Sequence, residues 1–132
     1  MVRLYDKDSH KGAQESITRM QEQINRLTAV RPIQTRVFRA NATNAASLRE
    51  GLRDTAIDVV ITDIPYGQHS QWEQTQAPNP AWAMLDALLE FLSPKSIVAV
   101  ASDKKQKITH EKYERLDKFQ LGKRKVVILR PV

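Results

Sequence analysis

The sequence predicts an α/β fold on a mixed sheet, and three observations carry that expectation. Two short runs, Asp58-Val59-Val60-Ile61-Thr62-Asp63 and Ser96-Ile97-Val98-Ala99-Val100-Ala101, are continuous and largely β-branched. That pattern belongs to strands buried on both faces, as in a parallel sheet. Between them, Ala81 to Leu92 carries Leu85, Leu88, Leu89 and Leu92 on one side of a helix. Two further strand-like runs, Tyr113 to Phe119 and Lys125 to Leu129, close the chain around Leu121-Gly122. Strand, helix, strand and a terminal hairpin is an α/β order, and an antiparallel hairpin added to a parallel pair makes the sheet mixed.

Upstream, Ser16 to Leu27 reads as an amphipathic helix, because Ile17, Met20, Ile24 and Leu27 recur at spacings of three and four. Ser9 is placed to cap its start. Arg31-Pro32 ends it, since proline cannot continue a helix and disfavours helix at the residue before it. Thr35 to Arg39 reads as a short strand and Asn41 to Asn44 as a polar loop. Asn44 or Ser47 caps a second helix bearing Leu48 and Leu52. Gln68 to Pro80 is a polar, proline-stiffened loop, and Lys104, Lys105 and Lys107 form a basic one.

At 132 residues the chain is expected to be one domain, residues 1–132, long enough to bury roughly two-thirds of its unfolded surface. No apolar run approaches the ~18–20 residues that cross a bilayer, so no membrane partner is expected. The opening Met1-Val2-Arg3-Leu4-Tyr5-Asp6 lacks the apolar stretch of a signal peptide. The absence of cysteine rules out disulfides and thiolate metal sites and fits a cytoplasmic protein. No His, Asp or Glu spacing suggests another metal site, and no Ser-His-Asp arrangement is legible. A net charge of +6 favours polyanionic partners, nucleic acid first.

The chemistry concentrates after the first buried run, at Asp63-Ile64-Pro65-Tyr66-Gly67. In open α/β sheets, ligands bind beyond the carboxyl ends of the strands. An Asp followed by Pro-Tyr there suits methyl transfer to an aromatic amine, a poor nucleophile whose lone pair is delocalised into the ring. The Asp63 carboxylate and the backbone carbonyl near Pro65 can accept both N–H hydrogens and hold the lone pair toward an electrophile. Pro65 has a fixed φ and no N–H. Tyr66 offers a stacking platform contributing roughly 1–3 kcal/mol per base, and Gly67 lets the backbone approach the substrate. The same residues also suit a plain strand-ending turn; the buried strand before them and Trp72-Glu73 after them favour a site. Trp72 either stacks on a neighbouring nucleotide or packs beneath the loop, and His69 reads as a solvated loop residue. Lys104, Lys105, Lys107, Lys123, Arg124 and Lys125 either contact phosphates or form an ordinary solvated surface.

The Asp63 to Gly67 motif with Trp72-Glu73, and an ending of Glu114-Arg115-Leu116, Gly122-Lys123-Arg124 and Val126-Val127-Ile128-Leu129-Arg130, resembles the avilamycin-resistance (AviRa) type of ribosomal RNA guanine methyltransferase. The resemblance is good from Phe38 onward and weak before it. Ile64 stands where the wider Asn/Asp-Pro-Pro-Tyr amino-methyltransferases have proline, which favours the narrower family. The resemblance implies a Rossmann-like class I methyltransferase sheet, S-adenosylmethionine as cofactor, ribosomal RNA as partner, and methyl transfer to an exocyclic base amine, guanine N2. It also implies a cofactor contact at Ala40-Asn41-Ala42, where the Asn41 side chain would meet the adenine amino group and the Ala42 N–H the ring, with Asp63 nearby. The family usually has Asp at the position of Asn41, and a loop or capping role for Asn41 is the alternative.

No two of the four glycines are close enough to form the Gly-x-Gly loop that follows the family's first strand. The expectation is therefore the C-terminal portion of a methyltransferase domain, with the first strand or strands and the glycine loop missing. Arg3 to Asp6 is either a second strand, with Asp6 a ribose ligand, or the approach to a helical insertion beginning near Tyr5; the turn-like Lys7-Asp8-Ser9-His10 favours the insertion. Strands near Val37 and Val60 would then lack the pair that bridges them, and open edges are templates for another chain. That points to a homo-oligomer or a separate N-terminal piece. Two rival functions stand beside the first: a non-catalytic RNA-binding remnant, and methylation of adenine N6.

Overall fold

The computed structural model describes residues 4–65, 72 and 78–132, with side chains from residue 9 onward. It divides into two compact units, residues 1–37 and 38–132, and each is described by itself.

In the first unit, α1 runs from Leu4 to Val30. It starts well before Ser9, which lies inside the helix and does not cap it. The backbone at Asp6 is helical, which removes the reading of residues 3–6 as a strand. The end falls where Arg31-Pro32 requires it. Ile17, Met20, Ile24 and Leu27 form a stripe along α1 and remain about half exposed.

The second unit holds α2 (Ala45–Leu52), β1 (Ile57–Asp63), α3 (Pro80–Leu88), a 3-10 turn (Leu89–Phe91), β2 (Leu92–Asp103), β3 (Tyr113–Leu121) and β4 (Arg124–Pro131). Asn44 is the cap of α2, its side chain accepting from the Ser47 N–H at 2.9 Å. Asn79 does the same for α3 through the Trp82 N–H at 3.1 Å, with Pro80 at the first helical position. The apolar run expected to stay helical through Leu92 tightens at Leu89 and is extended from Leu92.

The sheet order is β1-β2-β4-β3. The β1–β2 pair is parallel, with Asp63 opposite Ala101; β2–β4 and β3–β4 are antiparallel. The turn from β3 to β4 is closed by Gly122, whose φ of 61° suits a residue without Cβ. The sheet is thus mixed, as expected, with an antiparallel hairpin added to a parallel pair.

One face is well packed. Val98 and Val100 of β2 and Val127 and Leu129 of β4 are buried with Met84, Leu85 and Leu88 of α3 and Leu48 of α2. Each such side chain contributes roughly 1.5–3 kcal/mol through burial. Tyr113 ties α3 to the sheet, its hydroxyl donating to the Leu85 carbonyl at 2.7 Å. His110 adds a second tie. Its Nδ1 accepts from the Lys112 N–H at 3.0 Å, so Nε2 carries the proton and faces Asp86 at 3.1 Å. Trp82 stacks on the imidazole at 4.6 Å, and its indole N–H donates to Glu111 at 3.0 Å. That hydrogen bond, first among several causes, holds the Glu111 carboxyl below the usual carboxylate range.

The other face departs from expectation. In β1, Val59 is 58% and Ile61 83% exposed, so this strand is partly buried on one face and bare on the other. No described helix covers Val59 and Ile61, and β1 is a sheet edge with β2 as its one neighbour. The strand expected at Thr35–Arg39 does not form, and Val37 is 99% exposed. A strand needs a ladder partner, because isolated extended backbone leaves its N–H and C=O groups unpaired, and no described strand pairs with this segment.

Candidate active site

The carboxyl end of β1 places Asp63 and Ile64 by simple alternation. Ile64 turns inward and is 2% exposed. Its N–H donates to the Ala101 carbonyl at 3.0 Å, extending the parallel pairing one residue beyond Asp63. Proline could not make that bond, so the residue that stands in place of the wider motif's proline adds one backbone hydrogen bond to the sheet. With Ile64 anchored in the core, the Asp63 carboxylate is directed to the opposite side.

Asp63 pairs with Arg124 at the start of β4. The residues are 61 positions apart, and nothing in the local sequence announces the contact. Topology explains it. Antiparallel β4 begins at the end of the sheet where parallel β1 and β2 finish. Both side chains are about half exposed, so the pair adds little stability through solvent; its effect is to orient the carboxylate.

A cavity of about 300 Å³ opens beside this point. Thr62, Asp63, Ile64 and Pro65 form one wall, Ala40 to Ala42 a second, and Trp72 and Met84 complete it. Five residues expected from the sequence therefore meet: Asp63, Pro65, Asn41, Ala42 and Trp72. Trp72 is partly buried against the core cluster, which agrees with a packing role. Thr62 and Met84 join the lining without having been singled out. Tyr66, Gly67, His69 and Glu73 lie outside the described residues.

Asn41 has a definite local task. Its side-chain oxygen accepts from the Thr43 N–H at 3.0 Å and the Thr43 hydroxyl at 2.7 Å. Its own N–H donates to the Ser47 hydroxyl at 2.8 Å. An amide oxygen has two acceptor positions, and Thr43 uses both. The loop or capping role is thus realised. The fit of these residues to S-adenosylmethionine is partial: the cavity offers space beside Asp63, whereas the Asn41 oxygen expected to meet the adenine amino group is engaged twice by Thr43, and no two glycines of the sequence are close enough to form a Gly-x-Gly turn. Among the described residues no group of three or more His, Asp or Glu side chains is placed to hold a metal ion. No described helix is long and apolar enough to cross a membrane.

Comparison with known proteins follows this geometry. Residues 1–124 match the family model described as rRNA methyltransferase AviRa. The 23S rRNA (guanine(2535)-N(1))-methyltransferase of Streptomyces viridochromogenes is 28% identical over 126 residues, which is 96% of this chain and 49% of that protein. Two solved structures of the rRNA methyltransferase AviRa from Streptomyces viridochromogenes are similar. One, at 1.5 Å, is 28% identical with a TM-score of 0.58, covering 80% of this chain and 43% of that one. The other, at 2.4 Å, is 31% identical with a TM-score of 0.52, covering 69% and 36%. The chain spans about half the length of the curated relative it matches. Its match extends over nearly the whole of its own length, and this chain belongs to the AviRa rRNA methyltransferase family.

Proposed function

We propose that this chain is the catalytic C-terminal portion of an S-adenosylmethionine-dependent methyltransferase acting on guanine in ribosomal RNA. The observation that carries the reading is the meeting of Asp63, Pro65, Asn41, Ala42 and Trp72 on one cavity from three separate segments. The relative's name specifies N(1) of guanine. We therefore assign the ring nitrogen N1 as acceptor, in place of the exocyclic N2 expected from the motif.

The Asp63 side chain suits that atom. On guanine, N1–H and one N2 hydrogen project side by side from one edge, and a carboxylate can accept both. Asp63 would exchange its Arg124 contact for this edge, and the Pro65 carbonyl would accept the second N2 hydrogen. Tyr66 would stack on the base. When bound, S-adenosylmethionine supplies the electrophilic methyl group. The Asp63 carboxylate would accept the proton that N1 loses as the new N–C bond forms and the bond from the methyl carbon to the sulfonium sulfur breaks. Alignment of the reactants would supply most of the rate enhancement, and the base must be unpaired or splayed out to enter.

The open edge of β1 and the bare face at Val59 and Ile61 suit a further strand, supplied by an N-terminal piece that also carries a glycine loop or by a second copy of the chain. A strictly monomeric species that binds S-adenosylmethionine saturably on its own would remove that part of the proposal. Methyl transfer to a 23S rRNA transcript, measured with the N-terminal piece supplied, tests the rest. Asp63→Ala is expected to abolish turnover with the fold intact, and retained turnover would sink the assignment. The double engagement of the Asn41 oxygen by Thr43 favours a second reading, a non-catalytic RNA-binding remnant. Salt-sensitive RNA binding with no cofactor binding under any condition would establish it.

A further inference from the structure

We infer that the two turns beside Asp63 form one phosphate-binding ledge, which grips the backbone of single-stranded RNA flanking the target base. The inference rests on the RNA reading above and adds where the strand lies.

The strand ends bring the ledge together. Asp63 and Asp103 finish parallel strands, while Arg124 opens the antiparallel strand between β2 and β3. The turn after β2 and the turn before β4 are therefore neighbours, and the Lys104 N–H donates to the Lys123 carbonyl at 3.1 Å. Both turns are internally fixed. The Asp103 carboxylate accepts from the Lys105 N–H at 2.8 Å, and the Gln106 N–H donates to the Asp103 carbonyl at 3.1 Å. The Lys125 ammonium donates to the Gln106 carbonyl, and Gly122 closes the other turn at φ 61°. Lys104, Lys105 and Lys123 project from this frame, are exposed, and form no salt bridge among the described residues. Arg124 links the frame to Asp63.

The opposite end of the sheet is different. There Arg49 pairs with Glu90, and Arg53 adjoins Asp54 around a cavity of mixed charge. The opposite end also carries exposed cations, Arg53, Lys95 and Lys112, but the three lysines of the ledge are the ones that stand where β1 ends and Asp63 would hold the base. Backbone phosphates on either side of a splayed nucleotide need such cations in fixed positions, whatever the sequence.

Binding of a short unstructured RNA oligonucleotide to the full chain, followed by fluorescence anisotropy across a salt series, tests this. The ledge variant K104Q/K105Q/K123Q is compared with a control set at the other end, R53Q/K95Q/K112Q, both checked for native circular dichroism. Expected for the ledge variant is at least a tenfold loss of affinity and a fall of about 2 in the slope of log K against log salt, since each single-strand phosphate contributes about 0.7. The control is expected to stay within about threefold of the parent chain. Equal losses in both sets would overturn the ledge while leaving RNA binding in place. A parent chain that binds no RNA would overturn the RNA reading itself.

Discussion

Ile64 couples the core to the functional carboxylate, and replacing it tests the account of the site directly. Its side chain is 2% exposed, so Ile64→Ala removes buried methyl groups and leaves a cavity. Such changes cost about 2–5 kcal/mol. The Ile64 N–H donates to the Ala101 carbonyl at 3.0 Å. Ile64→Pro deletes that donor, which forfeits roughly 0.5–1.5 kcal/mol for the bond and about 1–3 kcal/mol if the carbonyl stays buried and unpaired. Proline keeps some apolar bulk, so the two variants isolate packing from backbone pairing. In a unit of this size about 1 kcal/mol moves the melting temperature by roughly 4–8 °C, which puts Ile64→Ala roughly 8–40 °C below the parent for a loss of about 2–5 kcal/mol. Urea titration followed by tryptophan fluorescence reads both, with Ile64→Val as a mild control losing about 1 kcal/mol. An Ile64→Pro chain as stable as the parent would refute the claim that this N–H adds to the sheet. A loss below about 1 kcal/mol in Ile64→Ala would refute the core assignment.

Burial, with a smaller push from Asp86, raises the Tyr113 phenol well above its ordinary 10.0. A raised folded value means that stability is complete below pH 10.0 and falls as the pH climbs toward the folded value, because the unfolded chain ionises first. Tyr113→Phe is expected to flatten this alkaline loss in melting curves and to lower neutral stability by about 1 kcal/mol through the lost bond to Leu85; parallel pH profiles would contradict it. At Gly122 a Cβ would meet nothing within 4 Å, yet φ is +61°. Gly122→Ala should therefore cost about 1–2 kcal/mol through backbone conformation alone, seen as a melting shift of roughly 4–16 °C, and an unchanged midpoint would show that the turn relaxes.

Much of this arrangement was legible because the signals are local. Whereas the start of α3 at Asn79-Pro80 reads as loop, Asn44 before Ser47 and Gly122 between two β-rich runs each satisfy a backbone need within three residues. Asp63 at the end of a β-branched run is legible for the same reason, and Asn41 and Ala42 came from a family resemblance. What escaped was set elsewhere in the chain. Asp58 to Asp63 reads as buried on both faces, but burial belongs to the covering layer, and no described element covers Val59 and Ile61. Thr35 to Arg39 has strand composition but joins no strand of the described sheet. The contact of Arg124 with Asp63 and the stacking of Trp82 on His110 arise from topology, and single-sequence spacing carries no trace of either.

The open edge of β1 also bears on the order in which the site forms. β3 and β4 are joined by a tight turn and can pair within microseconds, as hairpins do. β1 reaches β2 only after the chain between Asp63 and Leu92 has closed, a loop whose entropy must be met before any pairing bond rewards it. β1 is therefore expected to dock after the hairpin, and, like β3 at the other edge, it has a hydrogen-bonded neighbour on one side only. Asp63 sits at the tip of β1. The carboxylate meets Arg124 only while that strand is seated, so whatever stabilises the β1 edge also sets the fraction of molecules in which the site exists. Amide exchange that is faster along β1 than along β4 is the signature of this hierarchy.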